Sequence, residues 1–222
     1  MARVLVIGDT HCPGMHSKYP SFLQRMYKRH KCNRVVHIGD AVDNAAISYH
    51  EMNPALPSPE DEFWKAKLQL AKLYAFFPKV TWLTGNHDAL TERQATTVGL
   101  PAEVLKPLPE LWGVPTWTCL PRYSRLTIDG VIYSHGDSGK GGMYSSVKNS
   151  RDNFSSYVCG HHHSEAGVWY TTVQNHRVFG MNVGCGIDGD LLAFSYGRKF
   201  NKKPTLGCGI VLDGKHAIFE PM

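Results

Sequence analysis

Five short segments of this chain place Asp, Asn or His at the point where an apolar run ends. In chain order they are Gly8-Asp9-Thr10-His11, Gly39-Asp40-Ala41-Val42-Asp43, Gly85-Asn86-His87-Asp88, Ser134-His135-Gly136-Asp137 and Gly160-His161-His162-His163. Together they offer hard oxygen and imidazole ligands but no thiolate. One segment alone is typical of an ordinary turn, where Asp and Gly are common. Five in this order predict a hydrolytic centre that holds two metal ions.

The spacing of these residues suggests how they could share an ion. Functional groups collect at the carboxyl ends of strands in an open α/β sheet, so distant segments can converge there. Asp9 and His11 are two residues apart, as are His161 and His163. In an extended strand end such residues face the same side, so we expect both members of a pair to reach one ion. A carboxylate at Asp40 could bridge two cations.

Five short runs rich in β-branched and aromatic residues precede these segments and predict buried strands. They cover residues 4–7, 34–38, 79–83, 131–133 and 157–159. A helix is predicted at 19–30, and a clearer one follows Ser58, which is a suitable N-cap before Pro59. Pro78 ends that helix. The alternation of strands and helices predicts right-handed crossovers and a parallel or mixed sheet.

After Gly160 the pattern changes to strands joined by turns. Strands are predicted at 167–173, 177–183, 191–196, 209–212 and 216–219, with a hairpin turn at Asp213-Gly214. We expect this half to form a second, more antiparallel sheet packed on the first. The long connections 44–59 and 89–121 contain several prolines. Long loops that follow such segments are where substrate specificity is expected.

Composition sets the broad class. The chain has 222 residues and a formal net charge of +5, which predicts one domain over residues 1–222 and fits a polyanionic substrate. Its six cysteines lack CxxC spacing, so reduced thiols are expected rather than a zinc-thiolate site. No signal peptide and no membrane span are predicted. We therefore expect a cytoplasmic protein of a bacterium, or of the host cell if a phage encodes it.

The five segments resemble the signature of the calcineurin-like metallophosphoesterase family, which runs D-x-H, G-D-x-x-D, G-N-H-D/E, H, then G-H-x-H. Here that signature is complete from Asp9 to His163. The resemblance implies an α/β (α+β) fold, in which a double β-sheet sandwich is flanked by helices in four layers. It also implies a dinuclear metal site and hydrolysis of phosphate esters.

The resemblance also assigns roles by position. One metal would be held by Asp9, His11, Asp40 and His163. The other would be held by Asp40, Asn86, His135 and His161. His87 would be the general acid, oriented by Asp43, and a protonated His87 could give a proton to the leaving oxygen. The ligand mixture favours Mn, with Fe, Zn, Ni or Co as alternatives, and a hydroxide between two cations would be the nucleophile.

One departure from related enzymes narrows the substrate. Protein Ser/Thr phosphatases of this superfamily resemble G-D-x-V-D-R-G, whereas Asn44 follows Asp43 here. The missing Arg removes a clamp for phosphomonoesters, so protein phosphatase activity is put in doubt and phosphodiesters, of nucleotide or nucleic-acid type, are favoured. The chain is most similar to small stand-alone phosphoesterases of bacteria and phages.

Further substrate contacts are predicted at Asn44, His50, Arg93 and Lys140. For His50 the alternative is a structural role, and for Arg93 and Lys140 it is a solvated charge. The alternative functions are a phosphomonoesterase, a non-catalytic binding module on the same fold, and a metal-dependent amidohydrolase. His37 lies inside a predicted strand, so we expect it to be a satisfied core histidine rather than a ligand.

Overall fold

Two β-sheets packed face to face form the centre of the protein in this computed structural model. The structure describes residues 1–49, 57–139, 141–142, 144–189 and 203–222. The predicted strand at 191–196 and the candidate contacts His50 and Lys140 lie outside the described residues.

The first sheet has six strands in the order β11-β10-β1-β2-β3-β4. Its strands are β1 (Arg3–Ile7), β2 (Arg34–His37), β3 (Thr81–Leu83), β4 (Thr118–Leu120), β10 (Gly207–Leu212) and β11 (His216–Pro221). Strands β1 to β4 run parallel to one another. Strand β10 pairs antiparallel with both β1 and β11. The predicted parallel run is therefore the core of a mixed sheet.

The second sheet has five strands in the order β5-β6-β7-β9-β8. Its strands are β5 (Leu126–Ile128), β6 (Val131–Ser134), β7 (Ser156–Cys159), β8 (Ala166–Val173) and β9 (His176–Val183). The pairs β6-β7 and β7-β9 are parallel, whereas β5-β6 and β8-β9 are antiparallel. The parallel pair β6-β7 brings the carboxyl ends of two more strands to one edge.

Alternate residues of β1 build the core on both faces of the first sheet, as a strand buried on both sides requires. Val4 and Val6 pack with residues of the second sheet. Leu5 and Ile7 pack with helices α1 (Tyr19–Arg29) and α2 (Pro59–Phe76). On the outer side of the second sheet lies α5 (Ser145–Asp152).

Close backbone packing places α5 on the sheet. A Cβ at Gly180 of β9 would lie 2.5 Å from the backbone of Ser146 and Val147, so only glycine allows this approach. The order helices, sheet, sheet, helix confirms the predicted four-layer α/β sandwich.

The clearest helix begins and ends as predicted. The Ser58 side chain accepts a hydrogen bond from the Asp61 amide at 3.1 Å, and Pro59 is the first residue of α2. Asp213 and Gly214, both at positive φ, lie between β10 and β11 and form the predicted hairpin turn.

The assignment of β10 and β11 to the second sheet was wrong, because they extend the first. The reason is that β1 has β2 on only one side, so its other edge is open to β10. Residues Gly207 to Val211 are all buried, as a strand between two neighbours should be. The strands β6 and β7, which precede Gly160, instead belong to the second sheet.

The long connection at 89–121 contains more regular structure than its prolines suggested. It holds α3 (Leu90–Thr97), a 3₁₀ turn (Ala102–Val104) and α4 (Leu108–Leu111) before β4 begins. Another 3₁₀ turn (Ala45–Ile47) follows the second segment. The α3 helix therefore starts directly after the Asn86-His87 loop.

Candidate metal centre

The predicted ligand residues converge at one edge of the sandwich, where the carboxyl ends of five strands meet. Strands β1, β2 and β3 of the first sheet and β6 and β7 of the second each lead into one of the five segments. The expectation that carboxyl ends would collect these groups therefore holds for both sheets.

A first cluster of ligand atoms comes from Asp9, His11, Asp40 and His163, and all lie within 4.8 Å of one another. His163 Nε2 is 3.0 Å from Asp9 Oδ2. His11 Nε2 is 3.5 Å from Asp40 Oδ2. This set of two carboxylates and two imidazoles could hold a divalent transition metal.

A second cluster shares Asp40 with the first and adds His135 and His161. His135 Nε2 lies 3.3 Å from Asp40 Oδ2 and 3.0 Å from Asn86 Oδ1. The same oxygen of Asp40 therefore faces one imidazole of each cluster. A carboxylate in that position can bridge two cations.

The backbone at three of these residues departs from the extended form that the sequence suggested. His11, Asp40 and His161 have φ values of 44°, 48° and 66°, in the left-handed region that ordinary residues avoid. Asp9 and His11 contribute to one cluster as expected, but the backbone there is not an extended strand end. For His161 and His163 the expectation of a shared ion was wrong. The chain turns at these positions instead, and His161 and His163 lie in different clusters.

Two glycines let the carboxylates sit against the backbone. A Cβ at Gly85 would lie 2.1 Å from Asp40 Oδ1, and one at Gly160 would lie 2.3 Å from Asp9 Oδ1. No side chain fits at such distances. These glycines were visible in the segments, but their function depends on contacts between segments.

Backbone groups fix the orientation of the ligands. Amides of His87 and His161 donate to Asp40 Oδ1 and Asp9 Oδ2, each at 2.8 Å. The Nδ1–H of His135 donates to the Ile38 carbonyl at 3.1 Å. This bond leaves Nε2 of His135 as the nitrogen that faces Asp40, as ligand orientation in metal sites requires.

Protonation in the cluster is consistent with a cation at its centre. Burial acts to lower the pKa of His135, but Asp40 outweighs it and raises that pKa to about 10. Burial acts to raise the pKa of Asp40, yet the imidazoles of His135 and His87 hold it well below its usual range. Positive imidazoles thus balance the buried carboxylates where a divalent ion could replace their protons.

Two further observations test the fit of a metal. Oδ1 of Asp9 is buried and has no hydrogen-bond partner among the described residues, so the cluster contains a carboxylate oxygen in need of a positive partner. Burial lowers the pKa of His161 to about 4, so that ring is neutral and free to ligate. The residues present therefore fit a divalent metal ion.

A third group lies beside the first cluster and comprises His11, Asp43 and His87. Asp43 Oδ1 is 2.8 Å from His11 Nδ1 and 3.2 Å from His87 Nδ1. The closer partner of His87 Nδ1 is the backbone oxygen of Asp43, at 2.7 Å. The link between His11 and Asp43 was not foreseen, because no sequence signal joins the first segment to the second.

Among the other residues singled out from the sequence, Asn44 and His37 have structural contacts and Arg93 is exposed. Asn44 Nδ2 donates to the His87 carbonyl at 2.9 Å, so this amide holds the His87 loop. Arg93 is exposed, with its guanidinium 4.9 Å from the centre of the Tyr49 ring. His37 is buried beside Thr10 Oγ1, in agreement with a satisfied core histidine.

The described residues contain no helix with the length and apolar run needed to cross a membrane.

Comparisons with known proteins gave one family match and several similar solved structures. A family model described as Calcineurin-like phosphoesterase matches residues 2–203. The structure is similar to Vps29 from Entamoeba histolytica, with 14% identity, 97% of this chain and 88% of that chain covered, and a TM-score of 0.47. It is also similar to the E. coli phosphoesterase Yfce, with 14% identity, 95% of this chain and 88% of that chain covered, and a TM-score of 0.44. A third similar structure is the Pseudomonas putida nuclease MPE, with 14% identity, 99% of this chain and 87% of that chain covered, and a TM-score of 0.40. A search of curated proteins gave no match.

Proposed function

Because the chain belongs to the calcineurin-like phosphoesterase family, we propose that it hydrolyses phosphodiesters with the help of two divalent metal ions. The observation that carries this proposal is the position of Asp40, whose carboxylate belongs to both ligand clusters. Mn is the metal we propose first, and Fe, Zn, Ni and Co are alternatives for the same mixed oxygen and nitrogen ligands.

We assign the ligands by cluster. Asp9, His11, Asp40 and His163 would hold one ion. The other would be held by Asp40, Asn86, His135 and His161. When bound, such a pair of ions supplies Lewis acidity, which neutralises charge on a phosphoryl group and lowers the pKa of water.

His87 is the residue we propose to protonate the leaving oxygen. Its side chain is 19% exposed, so a substrate can reach the ring. Burial lowers the pKa of His87 and the charge on His11 does the same, but the carboxylates of Asp40 and Asp43 outweigh both, so the pKa is raised. A raised pKa favours the protonated ring, which is the form that a general acid needs. Its Nδ1 donates to the Asp43 backbone oxygen, which leaves Nε2 for the substrate.

The preference for diesters follows from Asn44. This residue brings no positive charge to the position where an Arg would clamp the extra charge of a phosphomonoester, and its amide is engaged by the His87 carbonyl. A diester carries less charge and needs no such clamp. The formal net charge of +5 favours anionic substrates of nucleotide or nucleic-acid type.

One comparison tests the proposal. We would measure kcat/KM of the Mn-loaded protein for bis-p-nitrophenyl phosphate and for p-nitrophenyl phosphate, each with and without chelator. The proposal expects a diester-to-monoester ratio well above one and loss of both activities on chelation. A ratio well below one would indicate a phosphomonoesterase. Two bound metals without hydrolysis of either ester would indicate a binding module instead.

A further inference from the structure

A groove continues the edge of the first sheet beyond the metal centre. Its cavity has a volume of about 510 Å³, within the range of small-molecule sites. Its walls include Tyr49, Ala89, Glu92, Arg93, Arg122 and Tyr123. We call this feature the Arg–Tyr groove.

The Arg–Tyr groove is joined to the metal centre on two sides. Ala89 lies two residues after His87, and the amide of the next residue, Leu90, donates to the His87 carbonyl at 3.1 Å. On the other side, Arg122 Nε donates to Asp137 Oδ2 at 2.8 Å, two residues after the ligand His135. Arg122 also follows β4, the neighbour of β3 in the sheet. The groove therefore borders the two segments that carry His87 and His135.

Each wall of the groove carries an arginine stacked on a tyrosine. The guanidinium of Arg93 lies 4.9 Å from the centre of the Tyr49 ring. That of Arg122 lies 4.6 Å from the centre of the Tyr123 ring. The two tyrosines are 50% and 56% exposed, so part of each ring is open to a ligand.

The orientation and charge of these side chains suit a particular ligand. The Tyr49 hydroxyl is hydrogen-bonded to Thr97 Oγ1 at 2.8 Å, which fixes the ring on α3. A guanidinium has five N–H donors, so Arg122 keeps donors for a phosphate after its bond to Asp137. Planar rings and guanidinium groups are the surfaces on which unpaired bases stack, and arginines pair with the phosphates between them.

We propose that the Arg–Tyr groove binds the unpaired bases of a single-stranded nucleic acid whose phosphodiester lies at the metal centre. This inference rests on the proposed function and narrows its substrate class. A paired duplex keeps its bases stacked on one another, so it cannot present them to the tyrosines. Among the groove residues named above, Glu92 is the single carboxylate against two arginines, which favours an anionic ligand over a cationic one.

Binding of a probe tests the groove independently of hydrolysis. We would measure fluorescence anisotropy of a labelled single-stranded oligothymidylate with phosphorothioate linkages on the Mn-loaded protein, with polyphosphate of equal charge as competitor. Tyr49→Ala and Tyr123→Ala should each weaken binding by roughly tenfold, as expected for loss of one stacked base. Tyr123→Phe should bind like the wild type, because it keeps the ring.

The matched control is Tyr170→Ala, since Tyr170 lies under Arg177 at 5.0 Å on β8, in the other sheet. This control should retain full affinity. Unchanged affinity in both groove variants, or equal competition by polyphosphate and unlabelled oligothymidylate, would overturn the proposal.

Hydrolysis of the base-free bis-p-nitrophenyl phosphate separates the two proposals. If the protein bound oligothymidylate through the two tyrosines but did not hydrolyse this diester with any metal, the groove would still bind single strands and the proposed function would be refuted. If it hydrolysed the base-free diester but did not bind single strands selectively, the proposed function would stand and the proposal for the groove would be refuted.

Discussion

The carboxylate of Asp43 lies 2.8 Å from Nδ1 of His11. This contact links the segment that starts the site to the one that supplies the shared carboxylate. Burial acts to raise the pKa of Asp43, but the contact with His11 helps to hold it at about 2, so Asp43 is ionised under ordinary conditions. It therefore fixes the ring with Nε2 towards Asp40, which is what a metal-ligand histidine needs.

Removing this charge should weaken metal binding. We expect Asp43→Asn to lower metal affinity about 10–100-fold, as loss of such a supporting carboxylate typically does. Calorimetric titration of the metal-free protein with Mn²⁺ measures the effect. Asp129→Asn is the control, because this exposed carboxylate accepts a bond from the Ala2 amide, outside the ligand clusters. Unaltered affinity in Asp43→Asn would mean that its role is confined to His87.

His87 should matter for turnover rather than for metal content. It lies in the third group and is not among the ligands we assign. We expect His87→Gln to reduce kcat by about 10²–10⁴, the usual size of a general-acid effect, while two metals per chain remain. Metal analysis and steady-state kinetics on one preparation decide this, with the exposed His216→Gln as control. Metal loss in proportion to the lost activity would contradict the role.

The contact between Gly85 and Asp40 predicts a large effect from a small change. A methyl group at Gly85 would lie 2.1 Å from Asp40 Oδ1, so Gly85→Ala must displace the shared carboxylate. We expect metal affinity and kcat/KM to fall together by tenfold or more. Gly141→Ala is the matched control, because no described residue other than its chain neighbours lies within 4 Å of a Cβ there. If Gly85→Ala bound metal normally, Asp40 could not occupy the position assigned to it.

The pH dependence of stability should depend on His37. The hydroxyl of Thr10 donates to the Ala41 carbonyl, so it accepts from Nε2–H of His37, while Nδ1 accepts from the Gly39 amide. This neutral ring is buried, and burial lowers its pKa from 6.5 to about 4. Between those values His37 of the unfolded chain binds a proton that the folded protein does not, so the contribution of His37 to stability falls as the pH falls.

The contribution of His37 to this loss is roughly 2–3 kcal/mol between pH 6.5 and pH 4. Urea unfolding of the chelated protein across this window measures it, and His37→Gln should have a flatter pH dependence because it lacks the titrating ring. The same slope in the wild type and the variant would show that other groups cause the loss.

More of the candidate site than of the sheet pairing could be predicted from the sequence. The candidate ligand residues stood out because each segment keeps its own spacing, and the structure brings them together. The left-handed backbone at His11 and Asp40 could not be read from residue types, since neither is a glycine. The Asp43–His11 contact was missed because no sequence signal joins the first segment to the second.

Strand pairing was the other limit. The runs at 209–212 and 216–219 were recognisable as strands, but nothing local to them indicates that β10 pairs with β1, more than 190 residues earlier in the chain. The Arg–Tyr groove has the same origin. Arg93 was named from the sequence as a substrate contact, whereas Tyr49, Arg122 and Tyr123 were not, because they meet Arg93 only in the folded chain.

The most direct test of the account is the metal content and turnover of Asp40→Asn, measured on the same sample as the wild type. Because this carboxylate belongs to both clusters, the account predicts two metals per chain and chelator-sensitive hydrolysis of bis-p-nitrophenyl phosphate in the wild type, and loss of both in the variant. A variant that retains two tightly bound metals and full turnover would contradict it.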